Sequence, residues 1–241
     1  MPVNRLWLVR HGESEGNVAA SRAEREGAAV IALDTRDADV ALSPVGEDQA
    51  RALRPWMTST GTSIEEFWVS PYHRARQTLA LALDGAGTAS PLRVDERLRD
   101  RELGILDLLT TRGVHELHPE EEARRRHLGK FFHRPPGGES WADVALRLRS
   151  FLADNLDRPA DTALLVAHDA VIMLVLYILL PMDEPELLAF TAANTVRNAS
   201  VTELVRTDGG WKLLTFSDVT HLESEGADVT VHSGVTDAPH R

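Results

Sequence analysis

Three short apolar runs in this chain each stop at a polar turn bearing His or Arg, with helical patterns between them. Arg5 to Val9 ends at Arg10-His11-Gly12, Ile64 to Val69 at Ser70-Pro71-Tyr72-His73-Arg74, and Thr162 to Ala167 at His168-Asp169. Runs this short and apolar fit strands buried on both faces, as in a parallel sheet covered by helices. Ser43-Pro44 supplies a capping hydroxyl and a first-turn proline for a helix to about Met57. A second helix is expected from the Arg74 turn to about Leu83. A third runs from Ser140 to about Leu156, where Trp141, Val144, Leu148 and Leu152 recur at helical spacing. Ala170 to Leu180 is the most apolar segment, yet shorter than the roughly 20 residues that cross a bilayer, and reads as a buried helix. Leu92 to Val94 is a brief strand, and Ser200 to Arg206 with Trp211 to Phe216 form a hairpin. The expected fold is α/β: a three-layer α/β/α sandwich with a mostly parallel sheet and an antiparallel edge strand.

The charged stretch from about Leu106 to Gly138 interrupts this alternation and reads as a helical insert, or cap, over the active site. One domain is expected over residues 1–222, with the insert at about 106–138. Residues 223–241 are acidic, contain Gly and have little apolar content, so a loose tail is expected there.

Composition narrows the function. The net charge of −11 argues against nucleic acid or an acidic membrane as partner, so any anionic substrate must be drawn by a local cluster of Arg. The absence of Cys removes disulfides, thiolate metal sites and thiol catalysis. With no signal-peptide pattern at the N-terminus, a cytoplasmic location is expected. The Asn198-Ala199-Ser200 glycosylation pattern is read as chance.

Ligands of open α/β sheets gather beyond the C-terminal ends of the strands, so Arg10, His11, Arg74 and His168 are expected to meet. Two Arg and two His suit a phosphoryl group. Guanidinium forks bind phosphate oxygens bidentately, and a neutral imidazole nitrogen can attack phosphorus. A second imidazole can stabilise the equatorial oxygens, and a carboxylic acid can protonate the leaving oxygen.

Five motifs carry a resemblance: Leu8-Val9-Arg10-His11-Gly12-Glu13-Ser14-Glu15-Gly16-Asn17, Leu42-Ser43-Pro44-Val45-Gly46-Glu47-Asp48-Gln49-Ala50, Ser70 to Thr78, Pro136-Gly137-Gly138-Glu139-Ser140, and Leu165-Val166-Ala167-His168. In this order the sequence resembles the histidine phosphatase superfamily, which includes cofactor-dependent phosphoglycerate mutases and many phosphomonoesterases. The resemblance implies His11 as the phosphorylated nucleophile, Arg10 and Arg74 as the phosphate clamp, His168 completing the pocket and Asn17 adding a hydrogen bond. Glu13 is given no chemical role. The family's usual proton donor is a Glu four residues before a Gly. Here Asp100 holds that position before Gly104, with Glu102 as the alternative donor. Asp169 is the second departure, standing where the family commonly has Gly. A carboxylate there repels phosphate unless it turns away or pairs with an Arg.

Other features receive bland readings. His73, His127, His221, His232 and His240 are assigned no role, and His115 with His118 is too weak a pattern for a metal site. Arg124-Arg125-Arg126 balances Glu120-Glu121-Glu122 on a solvated helix face, while Lys130 and Arg134 are better placed to meet substrate. Asp37-Ala38-Asp39-Val40, a few residues after a plausible strand from Ala29 to Leu33, fits an aspartyl-phosphate signature. The lysine and acidic pair that chemistry needs are not evident, so the Asp pair is read as loop.

The resulting expectation is a phosphomonoesterase that forms a phosphohistidine on His11 and hydrolyses it, without metal or organic cofactor. A small phosphorylated molecule is the expected partner, and a homodimer is compatible with the general frequency of symmetric dimers. The first alternative is a cofactor-dependent phosphoglycerate mutase, disfavoured by the short insert. The second is an inactive relative kept as a binding protein, which the intact His11, Arg10, Arg74 and His168 argue against.

Overall fold

A computed structural model of the chain describes residues 2–59, 64–84, 90 and 92–232. Its strands are β1 (Arg5–Arg10), β2 (Glu66–Val69), β3 (Leu92–Val94), β4 (Thr162–Ala167), β5 (Val201–Thr207) and β6 (Gly210–Asp218). They form one sheet in the order β3-β2-β4-β1-β5-β6. The four strands β1 to β4 are parallel, and β5 runs antiparallel to β1 and to β6. The antiparallel strand is therefore one in from the edge, because the hairpin turns β6 back to the outside.

Alternation along β1 divides the core. Leu6 and Leu8 face one side, where they join Val144, Leu148 and Phe151 of α6 (Trp141–Asn155) and Val171 to Leu176 of α7 (Asp169–Leu179). Trp7 and Val9 face the other, against Ala52 and Leu53 of α2 (Pro44–Ser59) and Ala75 and Leu79 of α3 (His73–Leu83). Helices thus cover both faces of the sheet. The helix α7 is buried on nearly every side, and each large aliphatic side chain so buried contributes about 1.5–3 kcal/mol. No described helix is long and apolar enough to cross a membrane.

The insert is helical, with α4 (Thr111–Leu117) and α5 (Pro119–Phe132). Three helices carried no clear signal in the sequence. In α1 (Glu15–Glu26) only Ala23 is buried, and in α8 (Glu184–Ala193) only Leu187 is, so neither shows an apolar stripe. Their capping boxes, Ser14 with Asn17 and Asp183 with Glu186, were the available signal. The third, α9 (Thr220–Glu225), is only six residues long.

Two expectations are corrected. The segment 29–33 is not a strand: it is an extended loop with one bridge between Val30 and Leu109. Residues 223–232 are not a loose tail. The Gln49 amide donates to Asp228 O at 2.8 Å and Thr230 Oγ1 at 2.9 Å, and the Asn198 N–H donates to Thr230 O at 3.2 Å. Acidic composition suggested solvation, but these are main-chain and hydroxyl contacts that composition does not report. Residues 233–241 lie outside the described residues.

Candidate active site

The crossover from β3 through α6 brings β4 back between β2 and β1, and this sets the site. Arg10 is in register with Ala167, and Val69 with Val166, so His11, Ser70 and His168 all emerge just beyond one paired edge. The His11 N–H extends the ladder to Ala167 O at 3.0 Å, and the Ser70 N–H extends it to Val166 O at 3.0 Å. Gly12 then lets the chain turn against the N-terminus of α2, where any Cβ on it would lie 2.5 Å from Gly46 O. Gly46 is the reciprocal requirement, since its own Cβ would meet Glu13 O at 1.9 Å. Two of the motifs read in the sequence are thus one close backbone contact.

His11 is buried, and its Nδ1 lies 2.6 Å from Gly12 O. A carbonyl only accepts, so Nδ1 carries the proton and Nε2 carries the lone pair. Arg74 Nε–H approaches that lone pair at 3.3 Å. Burial lowers the His11 pKa well below the usual imidazole value, and Arg74, His168 and Arg10 lower it further. The ring is therefore neutral at pH 7, the form a nucleophile needs. His168 is fully buried, its ring centroid 5.2 Å from that of His11. Its Nε2 lies 2.8 Å from Ser70 Oγ, which also accepts the Tyr72 N–H at 3.2 Å. Burial, then Arg74, Arg147 and Arg10, hold His168 neutral as well.

The two arginines are both buried. Arg10 donates to Val196 O at 2.5 Å and His232 O at 2.8 Å, and its buried Nε has no hydrogen-bond partner among the described residues. Arg74 donates to Asp37 O at 2.7 Å, to Asp37 Oδ1 at 2.8 Å and to Asp100 Oδ2 at 3.0 Å. Burial works to lower the Arg74 pKa, but Asp37 and Asp100 together raise it above the ordinary guanidinium value.

Asp100 lies inside this cluster. Its Oδ2 is 3.0 Å from Arg74 and 3.3 Å from His168 Nδ1, the latter without hydrogen-bond geometry. Glu102 accepts the Tyr72 hydroxyl at 2.9 Å, at the rim. Both carboxylates line the cavity, but Asp100 is the one beside both His168 and Arg74. Arg147 of α6 steadies it, donating to Asp100 O at 3.1 Å while held by Glu139. Asn17 also lines the cavity, its Oδ1 accepting the Ser14 N–H and, at 3.3 Å, the Asn198 amide.

Asp169 begins α7, lines the cavity and raises the pKa of Arg10, which burial otherwise lowers. Its charge is thus set against an arginine.

Sequence reasoning missed several contributors. Asp37, read as loop, sits in a short 3-10 turn and fills the fork of Arg74. His232, assigned no role, lies 2.7 Å from Glu13 Oε2 and 2.6 Å from Ser21 Oγ. Glu13 also accepts from Ser43 Oγ at 2.7 Å, so it anchors both the α2 cap and the C-terminal segment. Asn198 is fully buried and donates to His11 O at 3.2 Å, so its glycosylation pattern is inaccessible. Ala199 beside it adopts φ 52° and donates to the same carbonyl. In the insert, Arg125, Arg126 and Lys130 line the cavity, whereas Arg134 pairs with Asp143 instead. His115 and His118 pair with Glu122 and Glu120.

The cavity measures about 1080 Å³, with Ile31, Leu33, Leu103 and Met173 among its apolar walls. Such a site can hold a tetrahedral anion on two guanidinium groups while one neutral imidazole faces it.

Known proteins share this arrangement of chain. A Yersinia enterocolitica protein named "Probable phosphoglycerate mutase GpmB" is 31% identical over 92% of this chain and 97% of its own. The native structure of a mycobacterial glucosyl-3-phosphoglycerate phosphatase has a TM-score of 0.69 and 27% identity, covering 90% of this chain and 99% of its own. The alpha-ribazole phosphatase of Shigella flexneri has the same fold, with a TM-score of 0.71 at 20% identity, over 89% of this chain and 96% of its own. The profile of the histidine phosphatase superfamily (branch 1) matches residues 6–219, which take in His11, Arg74, Asp100 and His168 alike, and the chain belongs to that superfamily.

Proposed function

We propose that this protein is a phosphomonoesterase that transfers the phosphoryl group of its substrate to His11 Nε2 and then to water. The observation that carries this reading is the neutral, buried His11, its Nε2 lone pair held beside Arg74 and His168. Substrate phosphate takes the Arg74 Nε–H from His11, and Arg10 Nε–H supplies a second donor. Nε2 attacks phosphorus as the ester P–O bond breaks, and a proton that Asp100 takes up when substrate phosphate replaces it on Arg74 passes to the leaving oxygen. Asp100, now a carboxylate, takes a proton from water, whose oxygen attacks the phosphohistidine. The P–N bond breaks, inorganic phosphate leaves, and His11 is neutral again. Charge on the equatorial oxygens is stabilised by fixed donors that need no reorganisation.

Mutase activity is the second reading, favoured by the name of the relative at 31% identity. It differs only in returning the phosphoryl group to a second hydroxyl. Phosphorus NMR with a panel of phosphomonoesters, and separately with 3-phosphoglycerate plus catalytic 2,3-bisphosphoglycerate, separates the two. Inorganic phosphate that appears with the native protein and not with His11→Ala is the expected result. Conversion to 2-phosphoglycerate without phosphate release overturns it in favour of the mutase.

A further inference from the structure

We infer that Asp37 is an internal anion that competes with phosphate for Arg74, weakening product binding and setting how strongly the site holds an anion. This rests on the phosphatase reading above. The inference starts from the occupancy of Arg74. Its Nε–H points at His11, one terminal nitrogen donates to the Asp37 carbonyl and carboxylate, and the other donates to Asp100 with Asp37 Oδ2 at 3.5 Å. Asp37 therefore stands where a bidentate phosphate would engage the same fork. Its side chain is 43% exposed while that of Arg74 is 5% exposed, so the carboxylate can turn out to solvent while the guanidinium stays in the cavity wall. The supporting turn spans only Asp37–Asp39, in the connection between α1 and α2.

A phosphate dianion brings two charges and several acceptors against the one carboxylate, and displaces it. After hydrolysis, the return of Asp37 to Arg74 favours departure of inorganic phosphate. The exchange depends on pH. Loss of surrounding water raises the Asp37 pKa above the ordinary carboxylate value despite Arg74, and Asp100 raises it further. As pH falls toward that value, Asp37 takes a proton and ceases to compete. The other groups around it are Arg74 and Tyr72 on the α3 side, Asp100 and Asp107 beyond β3, and Arg36 and Asp39 in its own turn.

The test is calorimetric titration of sulfate, which stays a dianion throughout, into the native protein and Asp37→Asn between pH 5 and 8. At pH 7.5 Asp37→Asn is expected to bind sulfate about tenfold more tightly, about 1.4 kcal/mol. The ratio narrows toward pH 5, as Asp37 of the native protein takes up its proton. Inorganic phosphate, as a competitive inhibitor, should show the same tightening. Asp37→Ser provides a second variant should the amide disturb the turn. Equal or weaker sulfate binding by both variants, with ester hydrolysis by the native protein established, overturns the inference and leaves the phosphatase reading standing. Failure of the native protein and both variants to bind sulfate any better than Arg74→Ala overturns both.

Discussion

Arg10 and Arg74 serve one pocket, yet they are held by opposite chemistry. Arg10, at the end of β1, rests on the neutral carbonyls of Val196 and His232. Arg74, in the first turn of α3, is locked between the carboxylates of Asp37 and Asp100. Carbonyls orient a guanidinium without cancelling its charge, so the hydrogen bonds of Arg10 leave its attraction for an anion in place, offset only by the charges of Asp169 and Asp100. Carboxylates neutralise as they orient, so the attraction of Arg74 becomes available only as its partners move or take up protons. On the proposed reading, a fixed arginine and an exchangeable one divide the work of binding and release.

The largest effect should come from breaking the Arg74 side. Arg74→Ala leaves Asp37 and Asp100 uncompensated in the phosphate seat, and kcat/KM should fall by about 10⁴. Arg10→Ala breaks hydrogen bonds to neutral acceptors and should cost about 10³. Adding Asp37→Asn to Arg74→Ala should recover about tenfold, while the same addition to Arg10→Ala should recover less. Identical behaviour of the two double variants in steady-state kinetics would mean that the two sides do not differ as described.

The carboxylate partners can be separated next. Asp100→Asn should reduce kcat by about 10² on an alkyl phosphate and by much less on p-nitrophenyl phosphate, whose leaving group needs little protonation. Glu102→Gln, at the rim, should change either rate by less than about threefold. Loss of alkyl phosphate turnover in Glu102→Gln, with Asp100→Asn active, reverses the assignment of the donor.

On the Arg10 side, ending the chain after Ala227 removes the His232 carbonyl, and kcat/KM should fall about tenfold. His232→Ala keeps that carbonyl and should fall only about threefold, through the loss of Glu13 and Ser21. If the point variant is as poor as the truncation, the imidazole, not the main chain, is what positions Arg10.

The smallest effect is on stability. His11 and His168 have folded pKa values far below the 6.5 of free imidazole, so the unfolded chain binds more protons below that pH. Their contribution is complete above about pH 6.5 and is lost as pH falls toward the folded values. Asp37 has the opposite sign, its raised pKa relieving the fold as pH drops. Two fully buried imidazoles should outweigh one half-exposed carboxyl. The urea midpoint should fall between pH 7.5 and 5.5, and less so in His168→Asn. A midpoint that rises on acidification would show the carboxylates to be dominant.

Residues of the site that sit at strand ends were legible because the apolar runs end where the polar residues begin. His11, Ser70 and His168 are brought together by the register of three neighbouring strands, and Arg74 follows four residues after Ser70. That periodicity is local and survives in one dimension. The choice between Asp100 and Glu102 was not local. Both precede Gly104, and only the direction each side chain takes in an irregular segment places one on Arg74 and the other on Tyr72.

The contacts of Asp37 and His232 were less legible still, because their partners lie 37 and more than 200 residues away. Neither sits in a periodic segment, and an acidic loop residue or a histidine near a C-terminus looks the same whether solvated or docked. The sequence by itself determined the layered α/β fold, the starts of α2 and α6 and which strand ends face the cavity, since each follows from spacing along the chain. Only the tertiary structure decided how each arginine is held, which carboxylate enters the pocket and where residues 223–232 pack, because those depend on long-range closure that residue order does not encode locally.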